Sequence, residues 1–308
     1  MRSRLGSTRG GALAAAVKST AVATLVAAVL VLAACSTSSS TDLQRAAAPR
    51  PSGPAAYWNR SALLGARPFG VGQKIPQPGT TPDAHTAVTA LRVGALFEHD
   101  ASGDHFCTAS VVDSPGQDLL ITAAHCINNG NGSGYQTDIV FIPDYRDGDA
   151  PYGIWTPRQL IVAPQWADSA DQDYDVGFVV LAPLNGQKIQ QVLGGDKLGT
   201  DDSYDYLVRV TGYPSTGSTP ITCLNWTSEK SATQLQFDCG GYTGGTSGSP
   251  WVANFDPSSR TGTIVGVIGG YQEGGDTPAV SYSAFLGDGI QQLYQQAITD
   301  EAADGQAG

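Results

Sequence analysis

Two serines, Ser247 and Ser249, stand two residues apart in the glycine-rich run "GGYTGGTSGSPW", residues 240–251. Such a run suits a flexible connection, a tight turn between strands, or a loop that presents a nucleophile. A serine hydroxyl attacks well only when a base takes its proton, and the usual base is a histidine oriented by a carboxylate. The chain has four histidines, His85, His99, His105 and His125, and all precede Ser247. That order excludes the α/β-hydrolase arrangement, in which the histidine comes last. The subtilisin order needs a supported acid upstream of the histidine, and none is evident. The order His, Asp, Ser remains.

His125 closes the apolar run "LLITAAHCI", which reads as a strand delivering a histidine to a cleft. Asp175 opens another apolar strand in "DYDVGFVVL", where an acid can be buried enough to hold an imidazole; Asp173, two residues earlier, falls on the same face of an extended chain. Gly245 gives the loop before Ser247 the freedom to turn backbone N–H groups toward a developing oxyanion. Cys126, beside His125, pairs most simply with Cys107, and Cys223 with Cys239, each closing a short loop. A thiol-protease reading of Cys126 fails because adjacent residues on one strand cannot easily aim both side chains at each other. His85, His99 and His105 read as surface or loop residues, and no H-E-x-x-H or paired spacing suggests zinc. The acids of "DYRDGDAPYG", residues 144–153, complete no calcium-loop motif and read as a solvated loop.

"TAAHC", "DVGFVVL" and "GGTSGSP", in that order and with "FCTASVV" before them, resemble the chymotrypsin-like (trypsin-fold) serine peptidases from about Val88 to Ile298. The resemblance implies that Ser247 attacks, because Ser249 takes the variable position before Pro250. It implies an oxyanion hole from the N–H groups of Gly245 and Ser247, and the following Val-Gly favours Asp175 over Asp173. "RVTGYP" followed by "LQFDCGGYTGGTSGSP" is similar to the bacterial glutamyl endopeptidase branch. Three positions depart from relatives. Thr246 stands where animal trypsins carry the aspartate that pairs with a new N-terminus, so that activation switch cannot operate. Ile268 replaces the histidine that receives a substrate glutamate. Gly241 replaces the trypsin pocket aspartate, while Asp238 and Asp276 could reach a pocket, their direction open.

The elements around these residues are strand-like. Eleven short apolar runs recur between turn signals from about Val88 to Phe285, without intervening helical patterns, and point to barrels or a sandwich. With the family resemblance, the expected fold is all-β: two antiparallel six-stranded β-barrels with a C-terminal helix. That helix is marked by Ile290, Leu293, Tyr294, Ala297 and Ile298, one apolar stripe.

Residues 1–34 read as a signal peptide: Arg2, Arg4, Arg9 and Lys18 precede a run from Ala21 to Ala34 that is too short for a comfortable membrane span, which needs roughly 20 residues. "LAAC", Leu32 to Cys35, resembles the bacterial lipobox, whose cysteine carries the lipid. Assigning Cys35 to a lipid leaves four of five cysteines, an even number suited to a disulfide-permitting compartment; the plainer alternative is a cleaved signal with a stray Cys35. Residues 35–56 form a Ser/Thr/Pro tether that cannot pack a core. Residues 57–87 are an N-terminal extension or a removable pro-segment, 88–299 the peptidase domain, and 300–308 a disordered acidic tail. Loss of the leader, with four basic and no acidic residues, takes the formal charge from −11 to −11 − 4 = −15, which argues against nucleic-acid binding.

The sequence thus reads as a secreted, lipid-anchored, monomeric serine endopeptidase acting on proteins or peptides without a cofactor. Two other classes stay open at this point: a non-catalytic trypsin-fold binding protein, and an esterase using the same residues. If Cys35 carries the lipid, Cys35→Ser moves the protein from the membrane fraction to the soluble fraction; unchanged fractionation removes the assignment.

Overall fold

Two central strands explain why some apolar runs show no alternation. In the computed structural model, which describes residues 75–304 apart from 101, 102, 201, 257 and 260, β4 (Leu119–Thr122) and β7 (Gly177–Leu181) are buried along their whole length. Side chains alternate across a strand, so each of these strands feeds two cores. Leu120, Val179 and Leu181 face one cluster with Phe141, Trp155 and Trp166, whereas Leu119, Ile121, Phe178 and Val180 face a second.

These strands lie in a six-stranded sheet of order β5-β2-β3-β4-β7-β6. Its other members are β2 (Val93–Asp100), β3 (Gly103–Val111), β5 (Val140–Pro143) and β6 (Pro157–Val162). The second sheet runs β14-β11-β10-β9-β12-β13-β8, with β1 paired to β10. It comprises β1 (His85–Thr86), β8 (Lys197–Leu198), β9 (Leu207–Gly212), β10 (Ile221–Ser231), β11 (Gln234–Asp238), β12 (Pro250–Asp256), β13 (Thr261–Val267) and β14 (Val280–Ala284). Here β9 alternates cleanly, with Val208 and Val210 turned into a core of Leu235, Phe237, Trp251 and Val265.

The expected plan of two curled antiparallel sheets and a closing helix is present, and all eleven apolar runs form strands. The second sheet has eight strands rather than six, and β8 joins β13 in parallel. The apolar pattern passes over the two-residue strands β1 and β8 and one long strand, β10. Its buried positions include Thr222, Asn225 and Thr227, polar residues whose side chains donate hydrogen bonds in the interior. Asn225 Nδ2, for example, donates to the carbonyls of Thr80 (2.7 Å) and Asp238 (2.6 Å). The expectation of no intervening helices is also corrected, by two short ones: α1 (Pro164–Ser169), with proline in its first turn, and α2 (Ile189–Leu193).

The start of the domain lies earlier than residue 88. Ala84 N donates to the Gly240 carbonyl (2.9 Å), Ala87 N donates to the Pro220 carbonyl (2.8 Å), and β1 pairs with β10. Residues 82–87 are therefore part of the second sheet's hydrogen bonding, not a detached extension. The signal, Cys35, the tether and residues 57–74 lie outside the described residues. Among the described residues, no helix is long and apolar enough to cross a membrane.

The closing helix, α3 (Asp288–Asp304), buries Ile290, Leu293 and Ala297 against Ile121, Phe178, Val180, Val252, Ile264 and Val267, sealing the seam between the sheets. It continues past residue 299, so residues 300–304, expected in a disordered tail, are corrected to helix; residues 305–308 lie outside the described residues. The reason is Glu301, one turn beyond Ala297 on the same stripe. It is buried, its Oε1 accepts from Ser114 Oγ (2.7 Å) and its Oε2 from Gly116 N (3.2 Å). Beside it, buried Asp118 receives Arg158 and Lys188, each at 3.3 Å.

Burial, and then the neighbouring Asp118 carboxyl, push the Glu301 pKa up from 4.5 to about 7. A carboxyl with a raised folded-state pKa binds its proton more tightly in the folded chain. Its contribution is complete below the unfolded pKa and is lost as pH rises through the folded one. Relative to Glu301→Gln, the wild type is expected to lose thermal stability between about pH 4.5 and about pH 7. A melting-temperature difference that stays flat across that range counts against this docking.

Candidate active site

The antiparallel pairing of β4 with β7 sets Thr122 opposite Gly177. His125 follows Thr122 by three residues and Asp175 precedes Gly177 by two, so one register brings both to the same end of the first sheet. His125 sits in a 3₁₀ turn, Ala124–Cys126, and the Cys107–Cys126 disulfide ties that turn to β3. The second disulfide joins Cys223 to Cys239. Both pairings are those expected from the cysteine spacing.

Asp175 is fully buried. Its Oδ2 accepts from His125 Nδ1 (2.9 Å) and from Gly270 N (2.8 Å), and its Oδ1 accepts from the backbone N of His125 (2.9 Å). A carboxylate only accepts, so these bonds place the imidazole proton on Nδ1 and leave Nε2 as the free acceptor. Burial alone would lower the His125 pKa. The charge and hydrogen bond of Asp175, with Glu273 and Glu98 acting at longer range, outweigh it and raise the pKa above 6.5.

Asp173 does not compete for this position. The chain at 172–174 is a 3₁₀ turn, not the extended segment expected, so Asp173 and Asp175 do not share a face. Asp173 Oδ1 instead accepts from Gln234 Nε2 (2.8 Å). His85, His99 and His105 are exposed, on β1, β2 and β3. In the 144–149 loop, Asp144 Oδ1 is occupied by Arg146 (3.0 Å) and the N–H of Ala90 (2.9 Å). Among the described residues, the only grouping with metal-ligand spacing is Cys107, His125 and Cys126, whose sulfurs are already joined to each other.

The two serines of the glycine-rich run have separate environments. Ser249 is fully buried and its Oγ donates to the Thr246 carbonyl (2.6 Å), which closes the turn internally. Ser247 is half-buried and reaches a cavity. Two glycines permit this turn. Gly245 has φ 91°, and a Cβ there would strike the Phe106 ring and the Tyr213 carbonyl; Gly248 has φ 81°, and a Cβ there would strike the Thr108 carbonyl and the Thr122 hydroxyl. Both conformations suit glycine alone.

A residue that sequence reasoning missed holds this turn to the first sheet. Thr108, on β3, donates from its backbone N to the Ser247 carbonyl (2.7 Å) and from Oγ1 to the Gly245 carbonyl (2.9 Å), while Tyr213 N donates to that Oγ1 (3.0 Å). Its one advance sign is its place directly after the half-cystine Cys107. The cavity beside Ser247, about 270 Å³, is bounded by Thr246, Ile268, Glu273, Asp276 and Pro278 among others. Asp276 therefore faces the pocket, whereas Asp238 lies on β11 and accepts from Gln236 Nε2 (2.8 Å).

A buried Asp–His pair and a glycine-framed serine turn, on two curled β-sheets, define a serine endopeptidase of the chymotrypsin-like fold. The sequence profile of the Trypsin family matches residues 79–283, and the chain belongs to that family. No curated protein matches the chain. Among solved structures it is similar to the protease Anisep from Arthrobacter nicotinovorans, with 27% identity, a TM-score of 0.63, and 70% of this chain and 99% of that one covered. A thermostable serine protease, AL20, from an extremophilic microorganism gives 27% identity and a TM-score of 0.62, covering 68% of this chain and 98% of that one. A Glu endopeptidase structure shares the fold at 13% identity and a TM-score of 0.57, covering 72% of this chain and 99% of that one.

The contrast between the serines is open to test. Ser249→Ala removes a buried hydrogen bond and leaves the Thr246 carbonyl only the backbone N–H of Ser249 (3.0 Å), at a cost of about 1 kcal/mol. The measurement is the denaturant midpoint; a variant as stable as wild type would show that Ser249 does not hold the turn.

Proposed function

We propose that the protein hydrolyses peptide bonds through His125, Asp175 and Ser247, by way of an acyl-enzyme. Ser247 Oγ attacks the scissile carbonyl as His125 Nε2 takes its proton. The carbonyl oxygen becomes an oxyanion, received by the N–H groups of Gly245 and Ser247. His125 then gives its proton to the departing amine, and the C–N bond breaks to leave the acyl group on Ser247. Water, deprotonated by the same imidazole, releases the acid and restores the serine. Asp175 keeps the proton on Nδ1 and stabilises the imidazolium at both steps.

The observation that carries this reading is the fully buried Asp175, bonded to both the ring and the backbone of His125. It makes His125 a base aimed through its other nitrogen. Catalysis needs that imidazole neutral, so the acid limb of activity is set by the raised His125 pKa, above 6.5. Two disulfides suit a site of action outside the cytoplasm. The leader ending at Cys35 supports a lipid-anchored form on the extracytoplasmic side of the membrane, with the protein acting as a monomer.

Labelling of the intact protein by a fluorophosphonate, mapped by mass spectrometry, tests the assignment. Ser247 is expected to be modified. His125→Ala should abolish the labelling and Asp175→Asn should slow it by about 10⁴-fold, the loss typical of a histidine deprived of its carboxylate. A folded protein labelled at Ser249, or at neither serine, would falsify the proposal.

A further inference from the structure

Four successive carbonyl groups of the serine turn are each held by a hydrogen bond. The Gly244 carbonyl accepts from Ser215 N (2.7 Å) and the Gly245 carbonyl from Thr108 Oγ1 (2.9 Å). The Thr246 carbonyl accepts from Ser249 N (3.0 Å) and Oγ (2.6 Å), and the Ser247 carbonyl from Thr108 N (2.7 Å). A trans peptide is planar, with its C=O and N–H pointing opposite ways. Holding the Gly244 carbonyl therefore aims the Gly245 N–H, and holding the Thr246 carbonyl aims the Ser247 N–H. Between them stands the peptide that joins Gly245 to Thr246, and its carbonyl is the one held by the Thr108 hydroxyl.

That middle peptide has the most freedom to turn. Gly245 has φ 91° and no Cβ, so its own backbone offers little resistance to rotation. Thr246 N donates only within the turn, to the Thr243 carbonyl (3.1 Å). The anchor from the other sheet is the Thr108 side chain, which is fully buried. Its Oγ1 accepts from Tyr213 N (3.0 Å), which leaves its single proton for the Gly245 carbonyl. The Thr108 carbonyl in turn accepts from Thr122 Oγ1 (2.8 Å), three residues before His125, so the strand that carries the anchor is fixed to the strand that leads to the imidazole. Of the two bonds from Thr108 to the turn, the backbone one is open to any residue except proline. The Oγ1 bond requires a hydroxyl at that position.

We propose that Thr108 is a positioning residue for the reaction: its hydroxyl fixes the relative orientation of the Gly245 and Ser247 N–H groups, so that the oxyanion hole is assembled before substrate arrives. The proposal rests on Ser247 as the nucleophile and on these two N–H groups as the hole. Donors aimed at an oxyanion act on charge that develops only in the transition state. Loosening them lowers kcat and leaves substrate binding nearly unchanged.

The test uses two pairs of side chains, each differing by the hydroxyl: wild type against Thr108→Val, and Thr108→Ser against Thr108→Ala. The probes, applied to the intact protein, are a peptide p-nitroanilide, the fastest of a panel varied at the residue before the scissile bond, and the aldehyde of the same peptide. The aldehyde carbon bonds to Ser247 Oγ as His125 takes the serine proton, which places an oxyanion in the hole with no leaving group. In Thr108→Val, kcat is expected to fall by about tenfold or more, within the roughly 10²–10³-fold that follows outright loss of an oxyanion donor, while KM changes by less than about twofold. Aldehyde affinity should weaken in step with kcat/KM. The acid limb of the pH–rate profile should stay in place, because Thr108 is not among the groups that shift the His125 pKa. Thr108→Ser should stay near the wild-type kcat and Thr108→Ala should lose it; this pair decides the matter if Thr108→Val does not fold. A folded hydroxyl-free variant with wild-type kcat overturns the proposal, as does a loss confined to KM or a Thr108→Ser variant as slow as Thr108→Ala. In each of these cases a wild type labelled by fluorophosphonate at Ser247 leaves the nucleophile assignment standing. A wild type that neither labels nor cleaves any peptide of the panel overturns both.

Discussion

A carboxylate withdrawn completely from water is tolerated only when hydrogen bonds replace its hydration. Asp175 meets that demand with donors from both sheets of the molecule: two from His125, at the end of β4, and one from Gly270, just after β13. Moving any of the three would leave part of a buried charge unsatisfied. The relative position of the sheets at the cleft is therefore linked to the orientation of the imidazole. The same contact that orients the His125 ring also locks the seam between the sheets.

The other elements support that seam. Thr108 reaches from β3 to the carbonyls of Gly245 and Ser247, so the serine turn of the second sheet is held by the first. The Cys107–Cys126 disulfide, formed by the residue before Thr108 and the residue after His125, ties the serine's support and the base to one covalent link. On the far side, α3 covers Ile121, Phe178 and Ile264 along the same junction and ends in a polar contact at Glu301. Preorganisation of this kind lets backbone N–H groups meet developing charge without rearranging during the reaction.

Charge acts on the imidazole at two ranges. Asp175 acts at contact distance and fixes the orientation of the His125 ring. Glu273 stands beside the cavity next to Ser247 and contributes at longer range to the raised His125 pKa. The proteases of similar structure share the frame with this chain.

By itself the sequence determined the family likeness and most of the strands. The residue order His125, Asp175, Ser247 left one arrangement of base, acid and nucleophile, and eleven apolar runs marked eleven strands, because strand burial follows from local patterning. β10 escaped, since Asn225 and Thr227 stand beside Cys223 on its inward face, and polar residues read as buried only once their partners are known. The choice of Asp175 over Asp173 rested on family likeness until the 3₁₀ turn and Gln234 separated them. Thr108, Gly270, Asp276 and Glu301 belong to the tertiary structure for one reason. Their partners lie far away along the chain, and local sequence carries no record of which distant hydrogen bond, or which cavity wall, a side chain will meet.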